Sequence, residues 1–254
     1  MKSLHRASII DKRIVTGAKI AFFPYRNNPN PLTINKVIYS QVCKHTYYMK
    51  LKPDWSLIAP SASNDRMVVG VDEVGRGAWA GPVVAAAVIL PFGQQIERLA
   101  DSKLIKESVR VEIDRIIRAQ AIAVGIGWVS PREVDEHGLS WAVRQSGLRS
   151  LAAIETYYEA ILLDGSHNYM ADDARAIVTI KGDALITPIA AASVVAKVAR
   201  DRYMVALAHA YPAYGFESHK GYGTALHQRA LKTSGVSLHH RRSYRPLQGL
   251  PACQ

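Results

Sequence analysis

Apolar residues first fall into a sustained pattern at Met67, where MVVGVD reads as a strand that closes on two adjacent carboxylates, Asp72 and Glu73. After a glycine turn, GPVVAAAVIL (81–90) resumes the run, and AIAVGIGWVS (121–130) supplies a third strand. Between them Ile105, Val109, Ile113, Ile116 and Ile117 recur at helical spacing, which predicts a helix over 104–119. A second helix is predicted over 140–155, with Ser140 as its N-cap. EAILLDG (159–165) and ARAIVTIKGD (174–183) read as short buried strands. Residues 188–210 read as a long alanine-rich helix opened by Pro188. A last helix is expected over 224–233, ahead of the basic HHRRSYRP (239–246). A meander of strands followed by alternating helix and strand predicts a mixed sheet covered on both faces by helices.

Residues 1–65 show no such periodicity and carry the turn-rich YRNNPNP and APSASNDR. They read as a basic extension of low order ahead of one globular domain over 66–254. Charge sharpens this division. The 254 residues carry a formal net charge of +11, and residues 1–64 hold ten Lys or Arg against two acids, Asp11 and Asp54. The extension thus supplies +8 and the rest only +3, an imbalance that points to a polyanionic partner. The same acid-poor character fits a transit peptide, and translation from Met49 or Met67 is a plainer alternative. Cys43 and Cys253 lie far apart in no metal-ligand spacing. No apolar stretch approaches the roughly 20 residues that a membrane-spanning helix needs, so the expectation is a cytoplasmic protein with no membrane partner.

Asp72, Asp164 and Asp183 each close an apolar strand-like run and lie next to a glycine or one residue from one. Strand ends are where an α/β sheet can expose a polar group that its interior would bury at a cost. Convergent carboxylates are hard ligands for Mg²⁺ or Mn²⁺, and two such ions can drive phosphoryl transfer. Glu73 adds a fourth carboxylate only if the strand has ended by Glu73, because consecutive strand residues point to opposite faces. An aspartate before a glycine is also a common turn residue, and GRG (75–77) reads equally as a phosphate-approaching turn or as a tight hairpin with an exposed arginine. His219 and His227 look like ligands but lack a second Cys/His set that would suit zinc.

Taken in order, GVDEVGRGAWAGPVVAAAVIL, DSK (101–103), LLDG (162–165), IKGD (180–183), IAAASVVAKVARDRYM (189–204), YGFESHKGYGT (214–224) and HHRRSYRP resemble the bacterial ribonuclease HII family from Met67 to Pro246. The resemblance implies a ribonuclease H-like α/β fold, a five-stranded mixed sheet flanked by helices with a C-terminal helical segment. It implies that Asp72, Glu73, Asp164 and Asp183 are the catalytic carboxylates that hold Mn²⁺ or Mg²⁺, two ions during catalysis. It implies that Gly75, Arg76 and Gly77 contact the backbone and ribose 2′-hydroxyl at the cut, and that Tyr222 stacks on a sugar. The implied substrates are RNA/DNA hybrid and duplex DNA containing ribonucleotides, cut 5′ to a ribonucleotide by a monomer to leave 3′-hydroxyl and 5′-phosphate ends.

A 2′-hydroxyl is what distinguishes RNA from DNA at a given sugar, and a glycine turn can approach it where a Cβ would obstruct. Lys103, Lys181, Lys197, Lys220, Arg241 and Arg242 are candidate phosphate contacts. Ser193 and Lys197 share one face of the long helix and join the candidate substrate-binding set. Read alone, Tyr222 is equally a half-buried packing residue. Three rivals remain: the sister ribonuclease HIII, which usually lacks the arginine of GRG; a nonenzymatic nucleic-acid binder, which leaves four carboxylates unexplained; and a membrane-surface protein, which would need a basic amphipathic helix.

Overall fold

Residues 53–55, 58, 67–100 and 102–253 are described by the structure, a computed structural model. The central strand β1 (Val68–Val74) pairs antiparallel with β2 (Val83–Ile89) on one side and parallel with β4 (Ala160–Asp164) on the other. β3 (Ala123–Val129) extends the sheet antiparallel beyond β2, and β5 (Ala176–Thr179) extends it parallel beyond β4, giving the order β3-β2-β1-β4-β5. Every residue of β2 is buried, as its continuous apolar run requires of a strand covered on both faces.

One face is covered by α5 (Thr187–Ala210), with α1 (Glu107–Gln120) beside it. The other is covered by α3 (Leu139–Ala152). Small residues let α5 come close: a Cβ at Gly70 would lie 2.2 Å from the backbone of Pro188. The α3 face is equally tight, since a Cβ at Gly127 would lie 2.0 Å from the Ser146 carbonyl oxygen. Strand alternation then sorts the side chains. Val69 and Val71 join Ile161, Leu163 and Leu151 in the core beneath α3, whereas Ala86, Val88 and Leu162 join Ile113, Ile117 and Ile189 on the α5 side.

Four described residues of the stretch expected to be an extension pack on this core. Trp55 and Ile58 are buried within it, and the backbone of Asp54 bridges Leu185 and Thr187. Trp55 donates its indole N–H to the Gln94 carbonyl at 2.9 Å and lies 5.0 Å from the Phe92 ring. The other residues of 1–65 lie outside the described set.

Three details differ from expectation. α2 (Pro131–His137) precedes α3, nucleated by a capping box in which Ser130 and Glu133 satisfy each other's backbone N–H groups. Gly138, at φ 85°, separates the two helices, so Ser140 lies inside α3 and caps nothing. β5 stops at Thr179, and Asp183 sits instead in the single turn α4 (Gly182–Leu185), reached through Lys181 in the left-handed region at φ 58°. Beyond α5, the short turn α6 (Phe216–His219) and α7 (Ala225–Ser234), capped by Thr224, complete a C-terminal segment against the edge of the domain.

Candidate active site

Asp72 leaves β1 on the α5 face, as Gly70 does, and is 6% exposed. Its carboxylate accepts from its neighbour's backbone N–H at 2.8 Å and from the Ser193 hydroxyl of α5. Ser193 in turn pairs with Ser102 at 2.9 Å, so the loop before α1 braces the group that orients Asp72. Asp164, the last residue of β4, accepts from the backbone N–H of Asp183 at 3.4 Å. The one-turn helix thus docks on the strand end and delivers Asp183 beside it.

Oxygen atoms of Asp72, Asp164 and Asp183 lie within 4.8 Å of one another, the one cluster of acidic, His or Cys ligands among the described residues that could hold a metal. Burial and then the charges of Glu73 and Asp164 raise the Asp72 carboxyl well above its ordinary value. Burial, followed by the charge of Asp183, pushes Asp164 up to about 6. Lys103, largely exposed, lies 3.2 Å from Asp183. Three carboxylates confined this closely resist ionising together unless a cation joins them, and an all-oxygen set of this kind fits a divalent ion such as Mg²⁺ or Mn²⁺.

Glu73 departs from the expected early strand end. β1 runs on to Val74, so Asp72 and Glu73 leave the strand on opposite faces, and Glu73 stands outside the trio. Burial raises its carboxyl, offset by Arg76, whose guanidinium holds it at 3.1 Å. Glu73 still acts on the trio through its field, which raises both Asp72 and Asp164.

The Gly75–Gly77 turn sits on buried cations. Gly75 has φ +92°, and a Cβ there would lie 2.4 Å from Nε of Arg200. A Cβ at Gly77, by contrast, would meet no protein atom within 4 Å, so no packing within the described residues calls for glycine there. Tyr222 is half-buried, its ring 5.4 Å from the Arg200 guanidinium and 6.0 Å from the Lys197 ammonium. Lys197 is mostly buried and donates to Asp201 at 2.7 Å, an acid that Arg110 also meets at 3.2 Å.

Two expected phosphate contacts turn inward. Arg241 is fully buried and donates to the carbonyls of Gly81 and Arg76. Lys220 donates to the Glu217 carbonyl and is 9% exposed. Both lie where nearby turns leave carbonyls without backbone partners, and a buried carbonyl takes a side-chain donor when one can reach it. Lys103, Lys181 and Arg242 stay exposed.

Arg200 carries a role that the sequence pattern missed. Wholly buried, it donates to the carbonyls of Pro82, Ala80 and Lys220, joining the loop after GRG to the loop that carries Tyr222. Its position seven residues after Ser193 on the same helix was the available signal, since residues i, i+4 and i+7 share a face.

A family model described as Ribonuclease HII matches residues 69–246. The chain belongs to the ribonuclease HII family. The Ribonuclease HII of Dichelobacter nodosus is 45% identical over 185 residues, covering 72% of this chain and 97% of that protein. The Ribonuclease HII of Bacillus cereus is 45% identical over 183 residues, covering 72% of this chain and 70% of that protein. The solved ribonuclease H2 from Pyrococcus horikoshii superposes with a TM-score of 0.60 at 25% identity, covering 71% of this chain and 95% of that one. The fold is therefore ribonuclease H-like, and this ribonuclease HII is an endoribonuclease of the ribonuclease H type, acting on RNA/DNA hybrids. Among the described residues no helix is long and apolar enough to cross a membrane.

Proposed function

We propose that this ribonuclease HII hydrolyses the RNA strand of hybrids and nicks duplex DNA 5′ to single embedded ribonucleotides, using Mg²⁺ or Mn²⁺ held by Asp72, Asp164 and Asp183. The observation that carries this reading is the carboxylate trio within 4.8 Å, in which burial and then neighbouring negative charge raise Asp72 and Asp164. A divalent cation, when bound there, neutralises the carboxylates and stabilises charge on the scissile phosphate.

The chain's own residues set the geometry. Ser193 fixes the Asp72 rotamer, and Glu73 adds negative charge from the far face of β1. Lys103, beside Asp183 and exposed, is placed to meet a phosphate as substrate arrives. The Gly75–Gly77 turn offers backbone to the ribose, with open space at Gly77 for the 2′-hydroxyl edge, and Arg76 contributes a forked donor to the backbone phosphate. Tyr222 packs on the neighbouring sugar, while Lys197 supports the same surface from α5. Water's oxygen bonds to phosphorus, the bond from phosphorus to the 3′ oxygen breaks, and that oxygen takes up a proton. The products are a 3′-hydroxyl and a 5′-phosphate, and the ribose 2′-hydroxyl serves for recognition. The catalytic domain in this reading takes in residues 66–254 together with Trp55 and Ile58, which are buried in its core, with the stretch before them as a basic extension, and the enzyme acts as a monomer.

The test is incubation of the full chain with labelled duplex DNA carrying one ribonucleotide, in Mg²⁺, Mn²⁺ or chelator. A nick 5′ to the ribonucleotide that disappears with chelator and in Asp72→Asn is the expected outcome. An intact duplex together with an intact RNA/DNA hybrid, under either metal, would overturn the proposal.

A further inference from the structure

Three histidines gather behind the Tyr222 loop, and the carboxylate chemistry uses none of them. His219, His227 and His240 are 7%, 0% and 2% exposed. The His219 and His227 rings stack at 4.4 Å, and Nε2 of His227 faces Nε2 of His240 at 3.0 Å. Such a contact needs one proton between two nitrogens, and the remaining partners decide where it sits.

A backbone N–H can only donate and a carbonyl can only accept. The Ser237 N–H points at Nδ1 of His240 at 3.0 Å, so that nitrogen is bare and the proton lies on Nε2. His240 therefore donates to Nε2 of His227, which must be bare. The His227 proton is left on Nδ1, and it donates to the Tyr222 carbonyl at 3.0 Å. His219 resolves in the same way: it accepts the Gly221 N–H on Nδ1 at 3.1 Å and donates from Nε2 to the Tyr214 carbonyl at 2.8 Å. Each ring has one admissible tautomer, and an added proton would set a donor against a donor. Burial lowers all three rings, His227 to about 4 and His240 to about 3, each with help from a neighbouring histidine.

We infer that His240 and His227 form a directional hydrogen-bond relay, Ser237 to His240 to His227 to the Tyr222 carbonyl, that positions Tyr222 for substrate. The far end is anchored: Phe216 and Tyr214 pack against the His240 ring, and Trp79 tilts over His227. The near end holds a strained loop. Lys220 and Gly221 both have positive φ, and the Gly221 carbonyl accepts the Trp79 and Ala80 N–H groups next to the GRG turn. The two histidines are positioning residues, since they reach substrate only through Tyr222. The inference rests on the proposed role of Tyr222.

Histidine NMR on the ¹⁵N-labelled full chain at neutral pH reads the relay directly. The expected pattern is a proton on Nδ1 of His227 and on Nε2 of His219 and His240. A proton on Nε2 of His227, or an ionised ring, would overturn the relay. Kinetics on the ribonucleotide-containing duplex read its purpose. His240→Asn can still accept from Ser237 but cannot reach His227. We expect it to raise KM about fivefold to tenfold, the worth of one buried hydrogen bond, with kcat changed less than about twofold. His240→Gln restores a donor toward His227 and should bring KM to within about twofold of the native enzyme. In a Tyr222→Ala background the same His240→Asn change should have no further effect. Equal effects of His240→Asn with and without Tyr222 would overturn the positioning role while leaving Tyr222 in place. A Tyr222→Ala enzyme with unchanged KM would retract the reading of Tyr222 itself, and the inference with it.

Discussion

The carboxylates Asp72, Asp164 and Asp183 and the imidazoles His219, His227 and His240 are both sets of three titratable side chains in close quarters, yet they treat burial in opposite ways. Every histidine nitrogen has a partner that a single tautomer satisfies. The carboxylates accept a few hydrogen bonds, and the largely exposed Lys103 meets Asp183 among the three clustered charges. A neutral, fully paired cluster stabilises the fold by itself. A cluster of like charges costs stability until something outside the chain completes it, and that difference separates a scaffold from a reactive site. In the proposed reading the reactive site lies toward the C-terminal ends of β1 and β4 and in the one-turn helix beside them, just past the last β1–β4 pair, Val71 with Leu163.

The contrast breaks most visibly in turnover. Asp72→Asn, Asp164→Asn and Asp183→Asn should each lower kcat about a thousandfold or more, equivalent to several kcal/mol of lost transition-state stabilisation, while circular dichroism stays native. Comparable turnover in any of the three would remove that residue from the site.

Stability should move the other way. Asp164 has a folded pKa of about 6 against an ordinary 3.8, so the folded chain binds its proton more tightly and stability falls as pH rises from about 4 through about 6. Asp164→Asn avoids this. Without metal it should be more stable than the native protein by about 3 kcal/mol at pH 7, from 1.36 kcal/mol per pKa unit. The advantage should fade toward pH 4, and denaturant melts of both proteins across this range check it.

The histidines should show the reverse slope. Their folded pKa values lie below the ordinary 6.5, so the unfolded chain takes up protons first and their contribution is lost as pH falls from about 6.5 toward 4. His227→Ala should cost about 2 kcal/mol at pH 7 through the lost ring and its hydrogen bonds. Its melting temperature should also fall less steeply with acid than that of the native chain. Smallest of all, Lys103→Met should change stability by less than about 0.5 kcal/mol, because the lysine end of its ion pair with buried Asp183 is largely exposed to solvent, while it raises KM. A large destabilisation would mean that Lys103 is structural.

Much of this was legible in the sequence because periodicity and length carry it. The three antiparallel strands, the long helix from Pro188 and Asp164 follow from apolar runs and where they stop, and Asp72 and Asp183 lie close to such stops. Glu73 was half-read: the alternation rule posed the right question, but only the register of β1 with β2 through Val74 shows that the strand continues past it. Asp183 was read as a strand end because IVTIKGD looks continuous, whereas the left-handed Lys181 turns the chain into α4 first. α2 was missed, although Ser130, Pro131 and Glu133 spell its capping box. The i+7 spacing puts Arg200 on the same face of α5 as Ser193 but does not reveal its partners, since the carbonyls of Ala80 and Pro82, like the Gly81 carbonyl that Arg241 meets, are more than a hundred residues away in sequence.

In the proposed reading the three clustered aspartates are incomplete without a divalent cation. Calorimetric titration of Mn²⁺ into the full chain at pH 7.5, beside Asp164→Asn, tests it most directly. Binding to the native protein is expected, with proton release as the raised Asp72 and Asp164 carboxyls ionise, and at least a tenfold loss of affinity in the variant, about 1.4 kcal/mol. Equal affinity in the two proteins, or no binding to either, would contradict it.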